Sequence, residues 1–350
     1  MEIALSPTSI GVGASDLADL TVEAESLGYS AAWLAEVAGP EAFTLAGTIA
    51  ARTNQMALGV AVVPAATRSP SLLAMGAATV SDLLGGRSFS LGIGASSEVI
   101  VRSWHDREFH PPLARVKDSV LATRALLRGE RGYRGDTVSI DRFALTQKAT
   151  GPVGIYVGAL GPRMLRLAGA VGDGVCLNLM TAAAVPRQLD QIRRGAEDAS
   201  RELPTGFGVM ARFHLVVTDD VASGRSMIRA GFGPYFAQPV YNRFLAWMGY
   251  VDEARTIATA FERGDRDGVA GAFHDEIVDA IALIGAPGHI RERLEQYAAA
   301  GIDVAALSFH APDPAAVAAA IRLMAPGPGS LSEPRQHLGS EHPDGRLLVE

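Results

Sequence analysis

Apolar residues gather along this chain in short runs, at residues 3 to 10, 31 to 35, 56 to 63, 88 to 93, 153 to 157, 174 to 179, 207 to 217 and 304 to 309. Each run has the length of a strand and is rich in branched side chains. Between them, apolar positions recur with the period of a helix that covers a core, at about 15 to 27, 42 to 52, 70 to 84, 113 to 128, 162 to 170, 184 to 200, 288 to 300 and 313 to 324. Strand and helix alternate throughout. Runs so uniformly apolar suit strands buried on both faces, hence a parallel sheet under helices, and eight repeats are the number that closes a ring. The pattern predicts an α/β fold, a (β/α)8 TIM barrel occupying residues 1 to 325 as one domain.

Punctuation along the chain agrees with these boundaries. Ser69-Pro70 and Asp313-Pro314 each pair a capping residue with a proline suited to the first helical position, and Gly85-Gly86 tolerates the positive φ that ends a helix. Two stretches exceed the length of a repeat. Residues 129 to 150 hold Tyr133-Arg134-Gly135-Asp136-Thr137 between short extended runs, a hairpin. Residues 219 to 286 form a helical insertion before the last βα unit; they carry Tyr235, Phe236, Tyr241, Phe244, Trp247 and Tyr250, expected to build a small core and to cap the barrel mouth as a lid. Residues 326 to 350, rich in Pro, Gly and Ser, are expected to be an irregular tail adding little to the core.

Composition narrows the function classes. With 48% apolar and 20% charged residues over 350 positions, the chain has the makings of a large core, and a net charge of −7 gives it no basic field to hold nucleic acid. Cys176 is the only cysteine, which excludes an internal disulfide and any all-cysteine metal or iron–sulfur centre within one chain. No run of 18 to 20 apolar residues suggests a membrane span, and the start lacks a basic, then apolar, export signal. A cytoplasmic protein is the expectation.

Loops that follow strands carry the candidate chemistry. Gly11-Val12-Gly13, with Glu36 some distance on, mimics a dinucleotide fingerprint, but Asp16 stands where a third small residue is needed and would repel a pyrophosphate. It reads instead as a bottom-face turn. From residue 156 the chain runs YVGALGPRMLRLAGAVGDGV. Small residues Gly158, Ala159 and Gly161 precede a helix opened by Pro162, so the amides of Leu160, Gly161, Arg163 and Met164 can converge on a phosphate, with Arg163 adding charge. A ligand-free turn is the alternative. Gly94-Ala95-Ser96-Ser97 ends the fourth strand in the same way and reads as a second cofactor wall or a structural turn.

Hydride transfer would need few further groups: a cofactor held against its substrate, and one proton donor or acceptor. Glu36, a lone carboxylate at a strand end, and His105, in a loop expected to overhang the mouth, are the candidates for catalysis; Trp104 and His310 are candidates for substrate contact. A local ion pair for Glu36 and a packing role for His105 are the bland alternatives. His105, Glu108 and His110 do not share a helical face and Pro111-Pro112 interrupts them, so no metal is expected. No G-x-S-x-G elbow or S-x-x-K pair suggests acyl transfer.

Five blocks, in order, resemble one family. AAWLAEVAGPEAFT from residue 31, LGVAVVPAATRSP from 58, GGRSFSLGIGASSEVIVRSWHDREFHPPLARVKD from 85, YVGALGPRMLRLAGAVGDGV from 156 and IGAPGHIRERLEQYAAAGID from 284 together look like the luciferase-like flavin oxidoreductases, and most of all their branch that uses coenzyme F420, a deazaflavin. The resemblance implies a (β/α)8 barrel with an insertion before its last unit, a cofactor at the C-terminal face, a small-molecule substrate and a homodimer. It implies that Val60, Ala61 and Val63 back the ring, with a cis peptide between Val60 and Ala61. It further implies that Gly94, Ala95, Ser96 and Ser97 flank the ring, that Ala159 to Met164 hold the phosphate, and that Glu36 touches the ring's polar edge. Val37 and Ser97 stand where sugar-phosphate dehydrogenases of that branch have a histidine and a glutamate, which argues against their substrate. FMN as cofactor of a monooxygenase, a nicotinamide dehydrogenase and a cofactor-binding subunit without turnover remain the alternatives.

Overall fold

The computed structural model describes residues 1–7, 12–109 and 111–326. Its strands are β1 (Glu2–Leu5), β2 (Ala31–Leu34), β3 (Ala57–Pro64), β4 (Phe89–Gly94), β5 (Tyr133–Arg134), β6 (Ser139–Ile140), β7 (Val153–Gly158), β8 (Gly174–Asn178), β9 (Gly208–Val217), β10 (Ala282–Gly285) and β11 (Val304–Phe309). Strands β1 to β4, β7 to β9 and β11 pair in parallel in that order, and β11 returns to β1, so the eight predicted strands close a barrel. β5 and β6 form the antiparallel hairpin expected between residues 129 and 150.

Six helices, α1 (Ala14–Ser26), α2 (Ala42–Ala50), α3 (Pro70–Leu83), α4 (Pro112–Leu127), α5 (Pro162–Val171) and α6 (Val185–Asp198), follow the first six barrel strands. The caps behave as their residue types dictate: Ser69 Oγ accepts from the Leu72 amide at 3.2 Å and Asp313 Oδ1 from that of Ala316 at 2.9 Å. Gly85 and Gly86 have φ of +60° and +97°. The insertion folds as α7 (Val221–Phe236), α8 (Pro239–Met248), α9 (Val251–Glu262), α10 (Arg266–Ala272) and α11 (Asp275–Ile281), before α12 (Pro287–Ala300) and α13 (Pro314–Leu323) complete the outer ring.

Two cores share the strands because their side chains alternate. Outward positions such as Leu58, Val60, Leu91, Ile155 and Leu307 are buried against the helices. Inward, Trp33 and Tyr156 meet edge to face at 5.3 Å among smaller neighbours such as Ala4, Ala31, Ala61 and Ala306 and fill the lower barrel. Their bulk dictates glycine opposite: a Cβ on Gly59 would lie 2.4 Å from the Trp33 ring, and one on Gly208 2.1 Å from the Tyr156 hydroxyl.

The structure adds what periodicity did not separate. β10, which the sequence pattern leaves within the helical insertion, pairs with the upper end of β9 from Ala282↔His214 to Gly285↔Val217. Val12-Gly13 follow β1, so they lie at the C-terminal rim and not, as expected, at the bottom of the barrel. Residues 8 to 11, which include Gly11 and the predicted upper part of the first strand, lie outside the described residues, as do His110 and residues 327 to 350 of the expected tail. No helix among the described residues is long and apolar enough to cross a membrane.

Candidate functional site

The C-terminal ends of the strands converge on a mouth shaped by an irregularity in β3. Its register against β4 runs evenly to Val60↔Leu91 and resumes at Val63↔Ile93, so Ala61 and Val62 together oppose Gly92. A cis peptide joins Ala61 to Val62, one residue later than expected. Val62 is the residue that leaves the ladder, and its side chain enters a hollow walled by three glycines. A Cβ would come within 3.2 Å of Val62 at Gly92, 2.5 Å at Gly94 and 2.8 Å at Gly158. Val60 and Val63 cannot back a ligand with their side chains as expected: both point outward and are wholly buried in the core beneath the helices. Ala61 faces the barrel interior.

The glycine of Gly94-Ala95-Ser96-Ser97 therefore serves packing against Val62, while the following residues form rim. Ala95, Ser96 and Ser97 are half-buried, Ser96 with φ +60°. Ser97 Oγ accepts from the Ile100 amide at 3.3 Å and starts a π-helical turn over Val99–Trp104. Trp104 is 55% exposed and His105 after it is exposed too. No hydrogen bond among the described residues orients the His105 ring, as a proton-transfer group requires.

At the other anion candidate, α5 begins with Gly161 as a cap that offers no side chain. Met164 drops out of the expected donor set, since its amide bonds the Gly161 carbonyl at 3.1 Å, and the Ala159 amide bonds Cys176 at 3.1 Å. The amides of Leu160, Gly161 and Arg163 have no protein acceptor among the described residues. Space in front of Gly161 is open, with no atom within 4 Å of a built Cβ, and Arg163 is exposed beside it. Pro162 supplies the fixed φ of the first turn and no donor.

Glu36, expected at the ring edge or in catalysis, is engaged elsewhere. Arg68 grips it with two hydrogen bonds, Nε to Oε1 at 2.9 Å and Nη2 to Oε2 at 2.6 Å, both side chains being about 15% exposed. Arg68 also bonds Glu41 and lies 5.0 Å over the Phe43 ring. The local ion pair is the reading that holds, with Glu36 accepting in addition from the Ala42 amide at the start of α2.

A cluster of which sequence reasoning named only His310 occupies the centre. Inward positions at every second residue bring Asn178 of β8, Arg212 and His214 of β9, and His310 just past β11 to the top of the barrel. Arg212 Nη2 donates to the Ala61 carbonyl at 2.6 Å, while its buried Nε has no partner. His214 Nε2 meets Asn178 Oδ1 at 3.0 Å and its Nδ1 meets His310 Nε2 at 3.0 Å. Burial, then the charge of Arg212, holds the His310 imidazole down at about 4. His214 is held well below its ordinary value by burial, then by His310 and Arg212. Phe232 of α7, in the insertion, packs against both rings, at 4.4 Å from His214 and 5.7 Å from His310. The signal was present in VMARFHLVV: Arg212 and His214 are two polar residues at strand period in an otherwise apolar run.

A family model described as luciferase-like monooxygenase matches residues 3–304. The chain belongs to the luciferase-like monooxygenase family. Family relatives include a Mycobacterium tuberculosis protein named as a coenzyme F420-dependent oxidoreductase, 29% identical over 315 residues, 81% of this chain and 88% of the relative. The 5,10-methylenetetrahydromethanopterin reductase of Archaeoglobus fulgidus is 29% identical over 293 residues, 80% and 85% of the two chains. In fold, this luciferase-like chain matches an F420-dependent secondary alcohol dehydrogenase in complex with an F420–acetone adduct, with a TM-score of 0.76 over 95% of this chain and 99% of that one, at 16% identity.

Proposed function

We propose that this chain is a coenzyme F420-dependent oxidoreductase that moves a hydride between the deazaflavin and a small organic substrate. The observation that carries the reading is that relatives named for F420 or for a reductase reaction align over at least 80% of this chain and 85% of their own length, a likeness of whole chains and not of one motif.

The residues present fit such a group. Unpartnered amides at Leu160, Gly161 and Arg163 face open space at a helix N-terminus, where a phosphodiester would find donors and the positive end of the helix dipole, and Arg163 would meet the acidic tail beyond it. Ala95, Ser96, Ser97 and the Ala61–Val62 bulge would wall the ring. The deazaflavin, when bound, supplies a carbon that takes or returns hydride. Glu36 acts in this reading as a positioning residue, fixing Arg68 and the first turn of α2 behind the site. Phe232, with the helices that carry it, excludes water from the mouth. The barrel of residues 1 to 325 and its insertion work as one unit. A homodimeric, cytoplasmic enzyme completes the reading and follows from the resemblance; light scattering checks the assembly.

Fluorescence titration of the purified protein with F420 and with FMN is the test. Micromolar or tighter binding of F420 and clearly weaker binding of FMN are expected, with Arg163→Glu weakening F420 by about 30-fold, on the order of 2 kcal/mol. Tighter binding of FMN would turn the assignment to a flavin monooxygenase, and F420 binding without any turnover would turn it to a cofactor-carrying subunit.

A further inference from the structure

Among the polar groups at the mouth, one ring is both aligned and left with a free acceptor. With the amide oxygen of Asn178 facing it, His214 carries its proton on Nε2 and keeps Nδ1 as a lone pair. His310 then donates Nε2–H to that lone pair, and its own Nδ1 is the acceptor at the end of the chain of hydrogen bonds. No protein donor occupies Nδ1 among the described residues, and His310 is only half-buried while His214 behind it is 6% exposed. We propose that His310, aligned by His214 and Asn178, is the group that takes up the proton released when a small alcohol is oxidised at this mouth.

The inference rests on the oxidoreductase reading above and assigns the substrate couple, an alcohol and its carbonyl. A deazaflavin held at the mouth would supply the acceptor for the carbinol hydride; the part of this chain is to take the O–H proton on Nδ1 of His310, while the electron pair of the O–H bond becomes the second bond of the carbonyl. In reverse the imidazolium returns the proton to oxygen. Phe232 of α7 meets the ring, His214 of β9 bonds it and Arg212 of β9 acts on it by charge; next to these stand Asn178 of β8, Ser308 of β11, and Tyr235 and Tyr241 in series behind Phe232, and Arg212 is the only charged group among them. Burial first, and then that cation, keep both imidazoles neutral, so the acceptor is ready throughout the neutral range, and the buried Nε–H of Arg212, without a partner among the described residues, can stabilise negative charge growing on oxygen. Neither other candidate offers this: Glu36 is held by Arg68, and His105 has no orienting bond among the described residues.

Two measurements on the full chain test it. By 15N NMR of the protein alone, His310 is expected as one neutral tautomer, protonated on Nε2, from pH 8 to 5.5, and Asn178→Leu is expected to mix the tautomers. With F420 and a panel of short secondary alcohols, His310→Ala is expected to lose about 100-fold or more in kcat, to bind F420 within twofold of the parent, and to regain part of the rate with added imidazole. The near-isosteric His310→Gln, which preserves the packing, should be as slow and unrescued. A charged or tautomerically mixed His310 at pH 7, wild-type turnover in either variant, or F420 bound with no alcohol oxidised overturns the inference. Failure to bind F420 overturns instead the reading beneath it.

Discussion

His310 makes its presence felt in stability as well as in chemistry. Unfolded, its imidazole takes up a proton near 6.5; folded, near 4. Between those values the unfolded chain binds more protons, so the stabilisation is complete above pH 6.5 and drains away as the pH falls toward 4. The gap corresponds to on the order of 3 kcal/mol. Urea melts at pH 7 and pH 4.5 should therefore show a smaller acid loss in His310→Gln than in the parent, carboxylates contributing equally to both. An equal loss would mean that the ring is not desolvated. Arg212 is the unusual neighbour, a buried guanidinium with one carbonyl partner and no carboxylate. Replacing it by Met removes a positive charge from the cluster and should move the His310 proton upward, visible in the same NMR titration.

At the level of elements, β3, β4 and β7 are fitted to one another through Val62. Gly94→Ala places a methyl 2.5 Å from Val62 Cγ2 and is expected to destabilise by about 1–3 kcal/mol and to weaken cofactor binding at the rim. Val62→Ala in the same molecule should restore most of the loss. Gly92→Ala should resist that rescue, because its methyl would also meet the Val60 carbonyl oxygen at 2.3 Å, and backbone does not yield to a side-chain change. Chemical denaturation of the two single variants and two doubles decides the matter; equal rescue at both glycines would contradict the fit described. The glycines of these loops looked in sequence like ligand cradles. In three dimensions Gly94 and Gly158 are demanded by the Val62 side chain from another strand, a contact between distant positions that no local pattern contains.

For the molecule as a whole, the barrel was legible because its strands are buried on both faces and its helices on one, which writes two different periods into the chain. Seven of the eight strands and the hairpin stand within a residue of where those periods put them, and the first, β1, ends at Leu5, short of the run to residue 10. β10 was hidden because four apolar residues next to a helix carry no period of their own. The site was less legible: loops could be named, but Arg212, His214 and Asn178 meet only through parallel register, and the donor set at Leu160 to Met164 lost Met164 to an ordinary first-turn bond.

The short ladder between β10 and β9 has an implication for how such a mouth is exchanged. Val217, where the insertion departs, is the register partner of Gly285, where it comes back, and the Thr218 amide donates to the Gly285 carbonyl at 3.1 Å. Departure and return are neighbours, so the segment is a cassette clipped onto a ring that closes without it. Joining Thr218 to Ala286 through two or three glycines, with Leu179 and Val216 made polar where the cassette's own core had covered them, should leave a folded barrel with an open mouth. Far-ultraviolet circular dichroism and a cooperative melt would show it; a molten chain would mean that the ring leans on its roof. A socket of this kind allows substrate choice to change by swapping one contiguous stretch of chain, while the strands that carry Arg212, His214 and His310 stay as they are.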